Sequence, residues 1–228
     1  MVKACFLERM QRIPEPELMT EKEQAIAYAN ADFEEPHKHF LELLKESIGT
    51  QLFESGKAAD LGCGAADISI RFIKSFPNYT IDAFDGAAAM LDEAKKALKR
   101  SGLNNVVNLI EKYIDVSTLS EQKYDLIFSN SLLHHLHDPL LLWNCIKSAK
   151  GDPSVFIMDL MRPENDEQVE QFVKNYSIGE PEILQRDFRA SLKAAFTPDE
   201  VKSQLDEAGL DGFTIKVVSD RHFTIYRS

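Results

Sequence analysis

The chain has 228 residues, of which 44% are hydrophobic and 28% charged, and it carries a formal net charge of −11. This length and composition fit one well-filled globular domain with an appendage. The negative charge disfavours nucleic acid as the main partner, because neutralising phosphates requires clustered Lys and Arg.

Residues 1–49 precede the first predicted strand and contain two predicted helices. The run Thr20–Glu23 has the pattern of a capping box and predicts a helix that continues to about Ala31. Pro36, at an N1-like position, predicts a second helix that ends at Gly49. The apolar residues of this second helix recur at helical spacing and are expected to face the core: Phe40, Leu43, Leu44 and Ile48.

Strands and helices then alternate along the chain. In chain order the sequence predicts strand 57–61, helix 66–76, strand 79–84, helix 87–101, strand 106–110, strand 124–129, helix 139–149 and strand 154–160. Such alternation is typical of a parallel, doubly wound sheet with helices on both faces. A polar stretch from about 162 to 196 follows and is expected to be irregular.

The C-terminal part of the chain predicts one more helix and a hairpin. The run Thr197–Glu200 supplies an N-cap, a proline at the first helical position and a capping-box carboxylate, and Gly209 ends the helix. The apolar segments 213–218 and 223–227 are so close in sequence that they can pair only as an antiparallel hairpin. The predicted fold is therefore α/β, with a doubly wound, mostly parallel seven-stranded sheet and an antiparallel terminal strand.

A glycine turn follows the first predicted strand and indicates a ligand site. The stretch Ala58–Asp67 reads as a strand end, a turn and a helix start. Glycines let the backbone approach a ligand closely, beside the free N–H groups of a helix N-terminus. Asp85 ends the next predicted strand, 23 residues after Gly62, close to the spacing of about 20 for a carboxylate that binds a ribose diol. These features suit NAD as well as S-adenosylmethionine.

The residues of the turn favour S-adenosylmethionine over NAD. A dinucleotide fingerprint would place its third small residue at position 67, but this residue is Asp67, whose charge would oppose a pyrophosphate. The D-x-G-x-G pattern of Asp60, Gly62 and Gly64 instead resembles motif I of the class I S-adenosylmethionine-dependent methyltransferases. Asp60 is suited to hold the amino group of the ligand, directly or through water.

The resemblance extends over most of the chain. Asp82–Leu91 resembles the second motif of the family, Ile114–Asp115 its adenine-binding acidic position, and Tyr124–Pro139 its fourth motif with the following loop. This last run is similar to the small-molecule branch, such as the quinone-biosynthesis C-methyltransferases. Ala66 stands where many members of the family have a third glycine; alanine is small enough to keep the helix close.

The resemblance implies a Rossmann-like methyltransferase fold, with an N-terminal helical lid or cap at 1–49, a methyltransferase domain at 50–228 and a substrate-pocket insertion at about 162–196. It implies S-adenosylmethionine as cofactor, S-adenosylhomocysteine as product and a small or medium-sized organic acceptor. The loop of the fourth motif lacks the N-P-P-Y/F pattern of enzymes that methylate amines of bases or proteins. The implied cofactor-binding residues are Asp60, Gly62, Cys63, Gly64, Asp85, Gly86, Met90, Asp115, Val116 and Asn130.

Two residues are candidates for contact with the acceptor. His135 is expected to face the pocket as a base or substrate contact, and Arg162 at the rim could pair with a substrate carboxylate. Alternatives stay open. His135 could be a loop histidine with satisfied hydrogen bonds, and Arg162 could form a surface ion pair. Asp60 could only hold its turn in place, Asp115 could cap its own turn, and Asp85 could cap a helix. Residues of the lid and insertion are expected to be structural or to line the pocket: Tyr28, His37, His39 and Tyr176.

The histidine-rich loop is not expected to bind a metal. Side chains of neighbours such as His134 and His135 diverge on a strand or a helix, and metal ligands must converge on one point. Two other functions on the same scaffold remain possible from the sequence. One is a reaction of S-adenosylmethionine itself to give a modified cofactor, for which Arg162 would be relevant, and the other is a non-catalytic cofactor-binding subunit.

The cysteines and the N-terminal residues indicate the cellular compartment of the protein. Cys5, Cys63 and Cys145 are widely spaced and indicate neither a disulfide framework nor a C-x-x-C metal site. No apolar stretch reaches the roughly 18 residues needed to cross a bilayer, and residues 1–9 lack the apolar core of a signal peptide. We therefore expect a cytoplasmic protein without a membrane span.

Overall fold

The computed structural model describes residues 10–49, 52 and 54–228. Cys5 and the N-terminal segment considered for a signal peptide lie outside the described residues. The described residues contain a seven-stranded mixed sheet. In chain order its strands are β1 Gly56–Leu61, β2 Tyr79–Asp85, β3 Val107–Glu111, β4 Leu126–Asn130, β5 Ser154–Leu160, β6 Thr214–Val217 and β7 His222–Arg227.

The order of strands across the sheet is β3-β2-β1-β4-β5-β7-β6. The first five strands are parallel, and β7 runs antiparallel to both of its neighbours, β5 and β6. Leu61 pairs with Phe84, so the turn after β1 emerges next to Asp85 at the end of β2. The predicted doubly wound sheet with one antiparallel terminal strand is confirmed. Its switch point lies at β1, which pairs with β2 on one side and β4 on the other.

Eight α-helices accompany the sheet in the described part of the chain. They are α1 Lys22–Asn30, α2 Glu34–Ile48, α3 Asp67–Ser75, α4 Ala88–Ser101, α5 Leu140–Lys147, α6 Asp166–Tyr176, α7 Glu182–Ala194 and α8 Pro198–Ala208. None of these helices is long and apolar enough to cross a bilayer.

Two apolar layers enclose the sheet, because alternate strand residues point to opposite faces. On β4, Phe128 packs with α2, α3 and α4, where Phe40 and Phe72 are fully buried. The adjacent Ile127 packs on the other face with α5 and α8, where Trp143 is fully buried. The apolar residues predicted to face inward on α2 and α4 are buried as expected. Both faces are therefore covered, and ligands can approach only at the strand ends.

The two N-terminal helices form, but their predicted start signals are wrong. The helix α1 begins at Lys22 after Glu21, and no side-chain hydrogen bond caps it. The helix α2 begins at Glu34, two residues before Pro36, because Asp32 Oδ1 accepts a 3.0 Å hydrogen bond from the Glu34 N–H. An aspartate side chain that binds the backbone two residues later starts the turn before the proline is reached.

The stretch from 162 to 196 was expected to be irregular, and this prediction is wrong. It contains α6, capped by Asn165, whose side chain accepts a hydrogen bond from the Gln168 N–H, and α7. The two helices are joined by a two-pronged ion pair between Arg189 and Glu170 at 2.6 and 2.8 Å. The sequence indicates these two helices only through a narrow stripe of apolar residues. The residues of this stripe are buried together with Leu160: Val169, Phe172, Val173 and Leu192.

The predicted end of the chain is confirmed in detail. Thr197 Oγ1 accepts a hydrogen bond from the Glu200 N–H, and the Glu200 carboxylate accepts one from the Thr197 N–H. This capping box starts α8, which ends at Gly209 in the left-handed conformation. The hairpin β6–β7 then completes the sheet.

Candidate active site

A cavity of about 800 Å³ opens beyond the carboxyl ends of the central strands. This volume lies within the range of about 300–1,000 Å³ that is typical of small-molecule sites, and open parallel sheets bind ligands at this switch point. The structure brings most of the predicted site residues into its wall: Asp60, Gly62, Cys63, Gly64, Asp85, Gly86, Met90, Asn130 and His135.

The glycine turn after β1 is held against the end of β2. The N–H groups of Gly62 and Cys63 both donate 2.9 Å hydrogen bonds to the carbonyl oxygen of Phe84. Gly62 has a φ of 73°, and a Cβ at this position would lie 2.8 Å from the Leu132 side chain. The turn therefore requires glycine here for both its backbone conformation and its close approach to the next loop. Ala66, at the start of α3, adopts a left-handed φ of 66° without being glycine.

Asp85 connects this turn to the start of α4. Its Oδ2 accepts a 2.8 Å hydrogen bond from the Gly64 N–H, and its Oδ1 accepts one of 2.8 Å from the Ala87 N–H. Burial raises the pKa of Asp85, although both hydrogen bonds act in the opposite direction. Asp85 is not the N-cap of α4, because Ala87 occupies that position and no side chain caps the helix; Asp85 binds the N–H of Ala87 just before it. The same carboxylate forms part of the cavity wall.

Asp60 is a second carboxylate in the cavity wall, and it is almost completely buried. Only 2% of the residue is exposed, and the Ser69 hydroxyl donates a 2.6 Å hydrogen bond to its Oδ2. Burial raises the pKa of Asp60 to about 7, and the nearby charge of Asp85 adds to this rise. The carboxyl group therefore titrates close to neutral pH, and a cationic ligand beside it would favour the ionised form, with loss of the proton to solvent.

The histidine loop forms a single 3-10 turn at Leu133–His135. The rings of His134 and His135 lie with their centroids 4.3 Å apart, so the prediction that the two side chains diverge is wrong. His134 Nδ1 is 2.5 Å from Asp159 Oδ1, and Asp159 also accepts hydrogen bonds from the N–H groups of Leu133 and Leu160. Both rings lean toward the same side because a buried carboxylate, Glu15, lies there.

The pKa values around these two histidines are displaced in opposite directions. Burial opposes protonation of His134, but the charge and hydrogen bond of Asp159 outweigh it and raise its pKa. Burial and the neighbouring His134 lower the pKa of His135 to about 3. His135 is therefore neutral near pH 7, and it lines the cavity.

Three predicted residues are not brought into the cavity wall. Asp115 accepts hydrogen bonds from the N–H and the hydroxyl of Ser117, which is the turn-capping alternative. Val116 is 57% exposed. Arg162 donates hydrogen bonds to Glu200 at 2.6 Å and to the carbonyl oxygen of Ala195 at 3.1 Å, so its guanidinium is occupied within the fold.

A family model described as a methyltransferase domain matches residues 52–209, which is more than half of the chain. The chain belongs to this methyltransferase family. The match runs from just before β1 to the end of α8, and α1, α2 and the hairpin β6–β7 lie outside it.

Curated relatives match a shorter part of the chain. Malonyl-[acyl-carrier protein] O-methyltransferase 1 of Ilyobacter polytropus is 39% identical over 90 residues, which cover 39% of this chain and 32% of the relative. Ribosomal RNA small subunit methyltransferase C of Haemophilus influenzae is 37% identical over 93 residues, 41% of this chain and 26% of the relative. Trans-aconitate 2-methyltransferase of Deinococcus radiodurans is 34% identical over 87 residues, 38% of this chain and 31% of the relative. The matches thus span about a quarter to a third of these relatives.

Solved structures share the fold of this methyltransferase over nearly its whole length. A SAM-dependent methyltransferase from Aquifex aeolicus superposes with a TM-score of 0.67 at 20% identity, covering 90% of this chain and 97% of that one. The plantazolicin methyltransferase BpumL in complex with a triazolic desmethylPZN analog and SAH has a TM-score of 0.67 at 15% identity, covering 91% of this chain and 90% of that one. At these identities the likeness shows the fold alone.

The N-terminal helices of the methyltransferase cover one side of the cavity. Asp67 connects them to α3, because its Oδ2 lies 2.6 Å from His37 Nδ1 and 2.6 Å from Arg71 Nε. Tyr28 and His37 line the cavity, which is one of the two roles expected for them, whereas His39 pairs loosely with Glu42 at 3.8 Å and does not line it.

Sequence reasoning missed two residues of this region. Glu15 carries no recognisable motif signal, and Arg221, which directly precedes β7, looks like an ordinary turn residue. Arg221 lines the cavity, and its guanidinium lies 3.3 Å from the ring centroid of Tyr176, which belongs to the predicted insertion and lies at the end of α6.

Proposed function

We propose that this methyltransferase-family protein binds S-adenosylmethionine and transfers its methyl group to a small or medium-sized organic acceptor, by in-line displacement at the sulfonium methyl. The observation that carries the proposal is the placement of Asp60 and Asp85 on either side of the glycine turn, at the ends of neighbouring strands and in one cavity wall.

The carboxylate geometry suits the two polar ends of such a cofactor. Each oxygen of Asp85 accepts one backbone N–H and retains a second lone pair for a ribose hydroxyl. Asp60 would attract the ammonium group. The rest of the cofactor site would be formed by Gly62, Cys63, Gly64, Gly86, Met90 and Asn130. The assignment of Asp115 and Val116 to the cofactor site stays a prediction, because neither residue lines the cavity.

Methyl transfer from a sulfonium requires the protein mainly to align the reacting atoms. A sulfonium already carries a good leaving group, and holding nucleophile, methyl carbon and sulfur in line can supply about 7–11 kcal/mol. A base is needed only where the nucleophile arrives protonated. The low pKa of His135, about 3, makes it a weak base near neutral pH and supports a role in contacting the acceptor instead.

Residues 1–49 would act as the lid, and the insertion at about 162–196 would form the opposite wall of the acceptor pocket. The residues Tyr176, Leu184 and Phe188 of α6 and α7 line the cavity and support this division. Malonyl-[acyl-carrier protein] O-methyltransferase and trans-aconitate 2-methyltransferase among the relatives support an organic acceptor. One relative methylates ribosomal RNA by name, but the net charge of −11 disfavours nucleic acid here.

We also propose a cytoplasmic location. Within the described residues, Cys63 and Cys145 are both buried and free of disulfide bonds, as expected in a reducing compartment.

The test is calorimetric titration of the purified protein with S-adenosylmethionine, S-adenosylhomocysteine and NAD. Micromolar binding of the two sulfur ligands without binding of NAD is expected. Incubation with S-adenosylmethionine and a panel of organic acids, phenols and quinones should then yield S-adenosylhomocysteine and a methylated acceptor by mass spectrometry. Binding of NAD alone would overturn the cofactor assignment.

Product analysis also separates methyl transfer from a reaction on the cofactor itself, because only methyl transfer yields S-adenosylhomocysteine. The cofactor-modifying alternative relied on Arg162, and this guanidinium is held against Glu200 instead of lining the cavity. Binding without turnover of any acceptor would favour the non-catalytic alternative.

A further inference from the structure

Three potential metal ligands face one another beside the cavity. Glu15 Oε1 lies 3.5 Å from His134 Nε2 and 3.4 Å from His135 Nδ1, and all three atoms lie within 4.8 Å of one another. Glu15 Oε1 and His135 Nδ1 are buried and have no hydrogen-bond partner. The Glu15 side chain is only 7% exposed. Buried polar atoms without partners are rare and call for an explanation.

The hydrogen bonds around the two rings leave one nitrogen of each facing Glu15. Asp159 accepts hydrogen bonds from the N–H groups of Leu133 and Leu160, and its Oδ1 lies 2.5 Å from His134 Nδ1, so the opposite ring nitrogen of His134, Nε2, is the one that faces Glu15. His135 Nδ1 is buried without a hydrogen-bond partner and lies 3.4 Å from Glu15 Oε1.

The segment that carries Glu15 is fixed in place. Pro14 and Pro16 flank this residue and restrict its backbone. The guanidinium of Arg12 donates hydrogen bonds of 2.9 Å to the carbonyl oxygens of His134 and Leu136, which ties the segment to the histidine turn. The three facing atoms are therefore held together by contacts that do not involve them.

The two separations between Glu15 Oε1 and the imidazole nitrogens fit a shared cation better than direct hydrogen bonds. A hydrogen bond would bring nitrogen and oxygen to about 2.7–3.2 Å. Ligands bound tetrahedrally at about 2.0–2.2 Å from Zn²⁺ lie about 3.3–3.6 Å apart, and Glu15 Oε1 lies 3.5 Å from His134 Nε2 and 3.4 Å from His135 Nδ1. The Asp159–His134 pair also has the arrangement in which a carboxylate orients a metal-binding imidazole.

We propose that Glu15, His134 and His135 bind a divalent transition-metal ion of the Zn²⁺ type. Two imidazoles and a carboxylate favour such an ion over Mg²⁺ or Ca²⁺, which prefer all-oxygen sites. Both imidazoles line the cavity, so the ion lies in its wall. If methyl transfer as proposed above is correct, the ion is placed to bind an oxygen or sulfur atom of the acceptor. Binding of the ion itself does not depend on that function.

The test is calorimetric titration of the full chain, stripped of metal with a chelator, with Zn²⁺ and separately with Mg²⁺. One equivalent of Zn²⁺ and no Mg²⁺ should bind. Glu15→Gln and His135→Gln should each weaken Zn²⁺ binding at least about tenfold, since even residues behind the ligands alter affinity by about 10–100-fold. His39→Gln, which alters a half-exposed histidine on α2 away from this cluster, should leave the affinity unchanged.

Circular dichroism and the affinity for S-adenosylmethionine, measured on the same samples, report whether each variant is folded. If Glu15→Gln is unstable, His135→Gln and the wild-type protein still decide the result. Absence of Zn²⁺ binding to the folded wild-type protein, or equal binding by wild type and both variants, would overturn the proposal. A failure of the methyl-transfer proposal would instead appear as absent S-adenosylmethionine binding or turnover with Zn²⁺ binding intact.

Discussion

The N–H of Gly64 donates a 2.8 Å hydrogen bond to Oδ2 of Asp85, so the turn after β1 and the carboxylate at the end of β2 form one unit. Asp85 also receives the N–H of Ala87 before α4. One side chain thus fixes the relative positions of two strand ends and a helix start. This arrangement explains why residues 21 positions apart in sequence can form a single binding surface.

Asp85→Ala is expected to weaken S-adenosylmethionine binding by about 1.5–3 kcal/mol, the range for hydrogen bonds to a charged group. Calorimetric titration measures the change. Asp92→Asn, which alters an exposed carboxylate on the same helix α4, serves as the control and should bind normally. An unchanged affinity in folded Asp85→Ala would remove the ribose assignment.

The affinity for S-adenosylmethionine should depend on the protonation of Asp60. Its pKa of about 7 means that the carboxyl group becomes neutral as the pH falls below 7, and its attraction for the ligand ammonium group is then lost. Affinity should therefore fall roughly tenfold between pH 7.5 and pH 6, because each pH unit below the pKa reduces the ionised fraction about tenfold. Asp60→Asn should bind more weakly at pH 7.5 and show a flat profile. A wild-type profile that is flat over this range would contradict the assignment of Asp60.

Gly62→Ala should destabilise the protein more than Gly102→Ala. Both glycines have positive φ values, 73° and 69°, which cost an alanine about 1–2 kcal/mol. Only at Gly62 would the new Cβ meet a neighbour, Leu132 at 2.8 Å, whereas nothing lies within 4 Å at Gly102. Denaturant unfolding should show an extra loss of at least about 1 kcal/mol for Gly62→Ala. Equal losses would mean that the loop carrying Leu132 adapts freely.

Arg162→Leu should reduce stability without changing ligand affinity. Its guanidinium holds Glu200 and the Ala195 carbonyl oxygen, and losing these contacts should lower the free energy of unfolding by about 1–3 kcal/mol. Binding of S-adenosylmethionine and the KM for any acceptor should stay as in the wild type. A raised acceptor KM in a stable Arg162→Leu protein would restore the substrate contact predicted from the sequence.

The sequence predicts the sheet well because its signals are local. Alternating apolar runs, the glycine turn and the capping box at Thr197 each act over a few residues, and the strands occur where these signals place them. The cofactor side of the cavity follows for the same reason. Asp60, Gly64 and Asp85 belong to strand ends that the fold necessarily brings together.

The features that sequence reasoning missed depend on distant contacts. The helices α6 and α7 were missed because most of their residues are polar. They are held by packing of their apolar residues on Leu160 and by the Arg189–Glu170 ion pair. Glu15 reaches His134 because its segment is held by contacts such as those of Arg12 with carbonyl oxygens more than 120 positions away in sequence. The periodicity of apolar residues in the sequence carries no information about such a distant contact. For this reason the sequence predicted neither the approach of the His134 and His135 rings nor their shared carboxylate partner, Glu15.

The position of β7 in the sheet has a consequence for synthesis of the chain. The strand β5 pairs with β7, whose first residue, His222, is 62 positions beyond Leu160 at the end of β5. During translation, therefore, β5 leaves the ribosome long before its partner and presents an open strand edge that invites pairing with other chains. The nascent protein can assemble the parallel half of the sheet early, but it must shield this edge until the residues of β7 have emerged.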